Sequence, residues 1–269
     1  MKNKSFVSLL LAGVCLSSPA MAEDIASPFY VPSTDEYFSE TSLNLSRTRY
    51  KNDSVQKDFS LKEKFQIGVG DEASVLLALG NRFNVKHITN KDYNNDLNLD
   101  YELGARKTLR AENGLMMNVG ASYYTYNPRS WYGRSAAAKQ RIKAVQGNAR
   151  WYKEVRGEVA VGYEMEDMLT PYASLSVRGN IDDADRNLYY RAFAGVHKME
   201  SGYSYDVGMR YEFEFGSDKE EAAFMQFASD YFLNDSMTVG GYVDYRFAGT
   251  SDPKVDYNYS IEARFKILF

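Results

Sequence analysis

Apolar side chains occupy every second position through most of this chain, from about residue 37 to its end. In residues 203–215, one face of an extended chain would carry only apolar or aromatic residues, and the other only polar residues and glycine. Residues 97–105 divide in the same way. A helix, with about 3.6 residues per turn, would mix the two sets, whereas a strand separates them. The pattern therefore predicts an all-β protein whose strands each have one apolar face.

The alternation predicts about twelve consecutive strands. They cover approximately 37–50, 55–67, 73–85, 96–108, 115–126, 150–165, 171–180, 188–198, 203–215, 222–233, 237–247 and 256–269. Dividing the segment after Gln140 into two strands would give thirteen, but residues 150–165 keep alternating and are interpreted as one long strand. We therefore expect an even number of strands, which brings both chain ends to the same side.

The first 22 residues have the features of an export signal. Lys2 and Lys4 precede the apolar run 6–16, and Ala20-Met21-Ala22 is a small-x-small cleavage site. The apolar run is too short to span a bilayer as a helix. The sequence therefore predicts a cleaved signal peptide over residues 1–22.

Lipid attachment at Cys15 is the less suitable alternative, because Val14 occupies a position that is normally Gly, Ala or Ser. Cleavage after Ala22 removes the one cysteine, so neither a disulfide nor thiolate chemistry is expected in the mature chain. We interpret residues 23–36 as a short periplasmic lead-in and residues 37–269 as a single domain.

The composition suits strands that face lipid on one side. Mean hydropathy is −0.47, yet aromatic residues make up 14% of the chain, with 22 Tyr and only 6 Pro. Loss of Lys2 and Lys4 with the signal would take the formal charge from −4 to −6. A mildly acidic chain without a basic block is not expected to bind nucleic acid.

The last strand alternates strictly and ends on an aromatic carboxy-terminal residue. Its apolar face consists of Tyr259, Ile261, Ala263, Phe265, Ile267 and Phe269. This stretch resembles the C-terminal signal by which bacterial outer-membrane β-barrels are recognised by their assembly machinery. The resemblance is to the porin-like class of about twelve strands, and no specific subfamily is matched residue by residue.

The resemblance implies a single transmembrane antiparallel up-and-down β-barrel in the bacterial outer membrane, with both termini periplasmic. It implies short periplasmic turns, such as Asn113-Gly114, and longer outer loops, of which residues 127–149 form the longest. The partners implied are the barrel assembly machinery, acting on the C-terminal strand, and outer-membrane lipids and lipopolysaccharide.

The polar face of the strands, taken as lumenal, carries basic and acidic residues in nearly equal number. The pore-lining candidates are Arg82, Arg106, Arg210, Glu102, Glu212 and Asp244. A pore that attracts acidic sugars should be lined mostly by one sign of charge, so strong anion selectivity is not expected. Balanced charges can instead pair across strands, which would either plug the barrel or leave a narrow polar channel. Inward glycines at several strands either widen the lumen or allow the strands to bend.

These observations favour a passive, weakly selective channel for small hydrophilic solutes. The first alternative is a plugged barrel that acts in adhesion through its outer loops. The second is a surface hydrolase, which would depend on His87 or His197. No enzymatic activity is predicted, because no acid or nucleophile stands in a recognisable pattern with either histidine.

No cofactor or metal site is predicted, because two histidines without cysteine do not form a transition-metal site. Some charged residues fall on the apolar face of the first two strands, namely Arg47, Arg49, Lys57 and Glu63. Arg47 and Arg49 would either meet lipopolysaccharide phosphates or extend into water at the membrane border.

Overall fold

A computed structural model describes residues 27–50, 55–87, 93–129, 152–165, 169–181, 188–215, 221–249 and 255–269. The predicted signal peptide, residues 1–22, lies outside the described residues, as does the part of loop 127–149 that follows Arg129. No helix in the described part of the chain is long and apolar enough to cross a membrane.

Twelve strands form one closed antiparallel sheet, in which each strand pairs with its neighbours in sequence and the last pairs with the first. The strands are β1 (Tyr37–Tyr50), β2 (Val55–Gly70), β3 (Ala73–His87), β4 (Tyr93–Arg110), β5 (Leu115–Arg129), β6 (Tyr152–Tyr163), β7 (Leu169–Asn180), β8 (Leu188–Glu200), β9 (Tyr203–Phe215), β10 (Glu221–Asn234), β11 (Met237–Ala248) and β12 (Val255–Leu268). The predicted up-and-down barrel and its even strand count are confirmed.

Several strands extend beyond their predicted ends. β4, for example, runs from Tyr93 to Arg110 rather than from 96 to 108. The hydrophobic alternation defines the part of a strand whose two faces have different surroundings. Where both faces of a strand end have polar surroundings, the hydrogen-bond ladder continues without hydrophobic alternation, so the sequence does not mark the end of the strand.

The final strand closes the barrel. β12 lies between β11 and β1, so that Ala263 is paired with Gly241 on one side and with Leu43 on the other. The terminal residue continues this closure, because Tyr37 N donates to Phe269 O at 3.1 Å and Phe269 N donates to Tyr37 O at 2.8 Å. The barrel therefore has no unpaired edge strand among its described strands.

The outward face is apolar and the inward face is polar, the reverse of a soluble protein. Leu103, Val207 and Phe227 are exposed on the outside, whereas Ser74 and Thr238 are buried in the interior. This is the arrangement expected of a barrel whose outer surface contacts lipid.

The two ends of the barrel differ in the length of their connections. Turns 71–72, 111–114, 201–202 and 235–236 lie at one end, together with Tyr37 and Phe269, and we call this the short-turn end. At the other end, the long-loop end, consecutive strands are separated by longer stretches of sequence, such as the 22 residues between Arg129 and Tyr152. Gly114 (φ 86°) and Gly202 (φ 95°) adopt the left-handed conformation that their tight turns require.

The charged residues predicted on the apolar face do point outward. Arg47 is paired directly with Lys57. At about 3.3 Å per residue and a tilt of about 40°, Arg47 lies roughly 25 Å along the barrel axis from Tyr37, which is the height of an apolar band in this class. Glu63 lies between these levels, and its carboxylate accepts hydrogen bonds from Ser39 Oγ (2.6 Å) and Thr41 Oγ1 (2.5 Å). Two hydroxyls thus stabilise the acidic side chain on the lipid-facing surface.

Candidate functional site: a charged lumen closed at one end

The middle of the barrel contains a cavity of about 610 Å³. Charged side chains from several strands line it, among them Lys62, Glu102, Arg106, Arg156, Arg178, Arg191 and Glu212. The lining is polar because inward side chains alternate with outward ones on every strand, and the inward set is mostly polar.

The structure divides the predicted pore-lining residues into two groups. Glu102, Arg106 and Glu212 border the central cavity. Arg210 and Asp244 also point inward, but they are largely covered, with side chains that are 11% and 3% exposed. Arg82 occupies an inward position of β3 opposite Ser60, and its side chain lies outside the described part of the structure.

Many lumenal charges are paired across the barrel wall. Lys62 Nζ on β2 lies 2.9 Å from Glu102 Oε2 on β4, and Arg210 Nη1 on β9 lies 2.9 Å from Asp244 Oδ2 on β11. Arg106 on β4 likewise forms an ion pair with Glu158 on β6. In each case the partners belong to strands separated by one intervening strand, so each pair bridges over that strand.

Glycine on the intervening strand makes room for the bridge between Arg106 and Glu158, and for a further bridge between Asp230 and Arg264. Gly120 on β5 is paired with Arg106 on β4 and with Glu158 on β6. A β-carbon at Gly120 would lie 2.9 Å from Glu158 Cγ. The inward glycines were expected either to widen the lumen or to let the strands bend. At Gly120 the absent side chain allows two flanking charges to meet.

Gly240 occupies the corresponding position between Asp230 on β10 and Arg264 on β12. A β-carbon there would lie 2.1 Å from the backbone oxygen of Ser229 and 2.2 Å from Asp230 Oδ1. The first of these atoms is main chain and cannot rotate away, so a side chain would have to displace the strand itself.

We therefore expect Gly240→Ala to lower the free energy of unfolding by about 1–3 kcal/mol, the usual cost of overpacking. Gly157→Ala is the matched control, because a β-carbon at Gly157 meets nothing within 4 Å. Urea unfolding of both variants in detergent micelles measures the difference. Equal stability of the two variants would show that the close approach at Gly240 is unimportant.

Three arginines of the lumen stack on aromatic rings. The guanidinium carbon lies 3.6 Å from the ring centroid for Arg156 over Tyr124, 4.7 Å for Arg178 over Tyr189 and 4.2 Å for Arg210 over Phe224. Stacking holds the planar guanidinium in one orientation and adds to its electrostatic stabilisation. These contacts hold the guanidinium groups of Arg156 and Arg178 in place at the wall of the central cavity.

The short-turn end of the lumen is closed by the segment that precedes β1. Phe29 is 0% exposed and Val31 4%, and Pro32 is also buried. Phe29 packs edge-on against Tyr172, with ring centroids 5.9 Å apart, and its ring occupies the space beside Gly162. We call residues 27–36 the N-terminal plug. The lead-in predicted from the sequence thus packs inside the barrel mouth, which the prediction did not include.

Hydrogen bonds also join the plug to the barrel wall. Thr108 Oγ1 donates to the carbonyl oxygen of Phe29 at 2.8 Å, and Gly68 N donates to Glu36 O at 3.0 Å. Within the plug, Tyr30 N donates to Ser27 O and Glu36 N donates to Ser33 O. Apart from Glu36, its described backbone takes no part in the hydrogen-bond ladder of the sheet.

A sequence signal for the plug was present. Phe29, Tyr30 and Val31 form an apolar run in a segment expected to lie in water, where such a run has no stabilising environment. The pockets that receive it cannot be deduced in the same way, because their walls come from strands far apart in the sequence.

His197 is buried near the short-turn end, with 2% exposure. Its Nδ1 lies 3.2 Å from Asp206 Oδ1, and the Tyr172 hydroxyl donates to the same oxygen at 3.1 Å. These contacts give His197 a structural hydrogen-bonding role. His87 forms the end of β3, but its side chain is outside the described part. Within the described residues, no group of three or more His, Cys, Asp or Glu side chains has metal-binding geometry.

The barrel is similar to solved structures of bacterial outer-membrane proteins. It matches the COG4313 outer membrane channel from Pseudomonas putida F1 with a TM-score of 0.63 and 12% identity, over 89% of this chain and 97% of the channel. It matches the β domain of the Bordetella autotransporter BrkA with a TM-score of 0.56 and 12% identity, over 87% and 99% of the two chains. LpxR from Salmonella typhimurium gives a TM-score of 0.51 and 10% identity, over 85% and 100%.

No family model and no curated protein matches the sequence. At these sequence identities the structural similarity establishes the fold, which is that of bacterial outer-membrane β-barrels. One such fold carries many activities, so the function must be argued from the lumen itself.

Proposed function

We propose that this protein is an outer-membrane channel for small hydrophilic solutes, with its short-turn end in the periplasm. The observation that carries the proposal is the central cavity of about 610 Å³, which is lined by charged side chains inside an apolar cylinder. A water-filled polar lumen is the property that lets a barrel conduct solutes across lipid.

Charge pairing in the lumen supports weak selectivity. Lys62, Arg106 and Arg191 each contact a carboxylate, so their fields are largely cancelled at a short distance. A lining of this kind repels neither cations nor anions strongly, whereas unpaired charges of one sign would. We therefore propose a channel that discriminates mainly by solute size.

The N-terminal plug favours one alternative, a barrel that stays closed and acts through the connections at its long-loop end. Phe29 and Val31 are buried at the short-turn mouth, so the plug obstructs this mouth in the described state. In the channel proposal, the plug lowers conductance and its displacement raises it. We propose no enzymatic role, since His197 is covered and bonded to Asp206.

The membrane partners follow from the outer surface. We propose that Arg47 and Lys57, which are paired on the outward face, contact lipopolysaccharide phosphates at the long-loop border. We also propose that the alternating C-terminal strand, including Phe265 and Phe269, is the segment bound by the assembly machinery.

Planar-bilayer recordings of the purified, refolded protein test the channel proposal. We expect discrete single-channel steps, and liposome-swelling rates that fall steeply as the sugar supplied becomes larger. A variant lacking residues 27–33 should give larger steps. If neither the wild-type protein nor this variant conducts, the barrel is not a channel and the closed alternative replaces the proposal.

A further inference from the structure

Three residues border two separate cavities of the lumen. A second cavity of about 180 Å³, next to the N-terminal plug, is lined by plug residues such as Ser27 and Tyr30. Glu40, Lys64 and Arg106 line both this cavity and the central one. They therefore mark the boundary between the two cavities, which we call the neck.

Strand register fixes the order of charges at the neck. Glu40 on β1 is paired with Lys64 on β2 and with Lys266 on β12, so the carboxylate lies between two lysines. Lys266 Nζ is itself 2.9 Å from Asp230 Oδ2, and Arg106 is bound by Glu158. Two of the neighbouring cations thus have their own carboxylates.

Lys64 differs from these cations. In the described part of the chain no carboxylate lies within ion-pairing distance of its ammonium group, and its Nζ lies 5.8 Å from the centroid of the Phe38 ring. Glu40, likewise, is in no ion pair with a described residue. Opposite charges that face each other without direct contact leave more of their field in the lumen than closed ion pairs do.

We propose that Glu40 and Lys64 form the charge filter of the channel, and that they act on permeating ions in opposite directions. Lys64 favours anions and Glu40 favours cations at the point where a solute passes from one cavity to the other. The lumenal charges that are held in ion pairs, such as Lys62 and Arg191, contribute less to ion preference. This inference rests on the proposed channel function and names the residues that control its selectivity.

The test is the reversal potential in a KCl gradient for the full-length mature protein and its single-residue variants. Lys64→Gln should lower the ratio of chloride to potassium permeability, and Glu40→Gln should raise it, each by about twofold to fivefold, as for one unit charge a few ångströms from the ion path in water. The effect of Glu40→Gln should be the larger, since it leaves Lys64 and Lys266 facing each other.

Lys107→Gln is the matched control, because Lys107 adjoins Arg106 in sequence but is exposed on the outward face. It should leave the permeability ratio unchanged. The double variant Glu40→Gln with Lys64→Gln should return close to the wild-type ratio, and heat-dependent gel mobility verifies that each variant is folded.

The possible outcomes separate the two proposals. If wild-type protein conducts but Lys64→Gln and Glu40→Gln keep its permeability ratio, the neck is not the filter and the channel proposal stands. Shifts of the same sign in both variants would also overturn the filter. If neither wild-type protein nor the variant lacking residues 27–33 conducts, both proposals fail together.

Discussion

Replacing Phe29 by Ala is expected to raise the conductance of the barrel sharply. The Phe29 ring is fully buried between Tyr172 and the wall beside Gly162, and it is the largest apolar contact of the plug. Truncating a buried Phe to Ala costs about 3–5 kcal/mol. This loss should increase the displaced fraction of the plug by about a hundredfold or more.

Single-channel recording measures the effect as larger steps or a higher open probability. Phe227→Ala is the control, since Phe227 is 50% exposed on the outward face and has no contact with the lumen. Deletion of residues 27–33 should reproduce the Phe29→Ala result. If both Phe29→Ala and the deletion of residues 27–33 leave the conductance unchanged, the plug does not limit permeation.

Replacing Asp230 by Ala is expected to lower the free energy of unfolding of the barrel more than replacing the exposed Arg191 by Ala. Asp230 is 2% exposed, and its Oδ2 lies 3.3 Å from Arg264 Nη2 and 2.9 Å from Lys266 Nζ. The variant would leave two cations in a confined interior without the carboxylate they share. Removing one partner of a buried ion pair costs about 3–5 kcal/mol, much of it from the charge that stays behind.

The midpoint of urea unfolding in detergent, followed by gel mobility, measures this loss. Arg191→Ala is the control, because the Arg191–Glu212 pair is 52% and 32% exposed and such pairs contribute about 0–1 kcal/mol. Adding Lys266→Met to Asp230→Ala should restore part of the stability by removing one uncompensated charge. Equal midpoints for Asp230→Ala and Arg191→Ala would contradict this explanation.

Together these variants distinguish two roles of the lumen. The Asp230 cluster stabilises the wall near the short-turn end, whereas Glu40 and Lys64 are proposed to act on passing ions. A variant that alters selectivity without changing the unfolding midpoint identifies a residue that acts on passing ions. A variant that lowers the midpoint without altering selectivity identifies a residue that stabilises the wall.

Strand positions were predictable because the alternation of apolar and polar residues within each strand reflects the surroundings of its two faces. Residues 203–215, for instance, form β9 with the predicted bounds, since Tyr203 and Val207 face outward and Ser204 and Asp206 face the interior. Glu102, Arg106 and Glu212 border the central cavity for the same reason.

The sequence indicated that inward charges could form ion pairs, but not which residues would pair. Arg106 pairs with Glu158 because Gly120 lies between them, and this depends on the register of three strands. Register is fixed by turn geometry and by closure of the whole sheet, and no single segment contains that information. The sequence therefore allowed the inward glycines to widen the lumen or to bend the strands, whereas the structure shows that Gly120 makes room for an ion pair across its strand.

The sequence by itself determined that this chain forms about twelve strands with apolar outer faces, because a two-residue period is a local property of each segment. Only the tertiary structure decided how the lumen is filled. The pocket of Phe29 is built from Thr108 on β4, Gly162 on β6 and Tyr172 on β7, and these surfaces meet only when the barrel closes. The same closure brings Glu40 between Lys64 and Lys266, because β1 meets β12 only in the finished barrel.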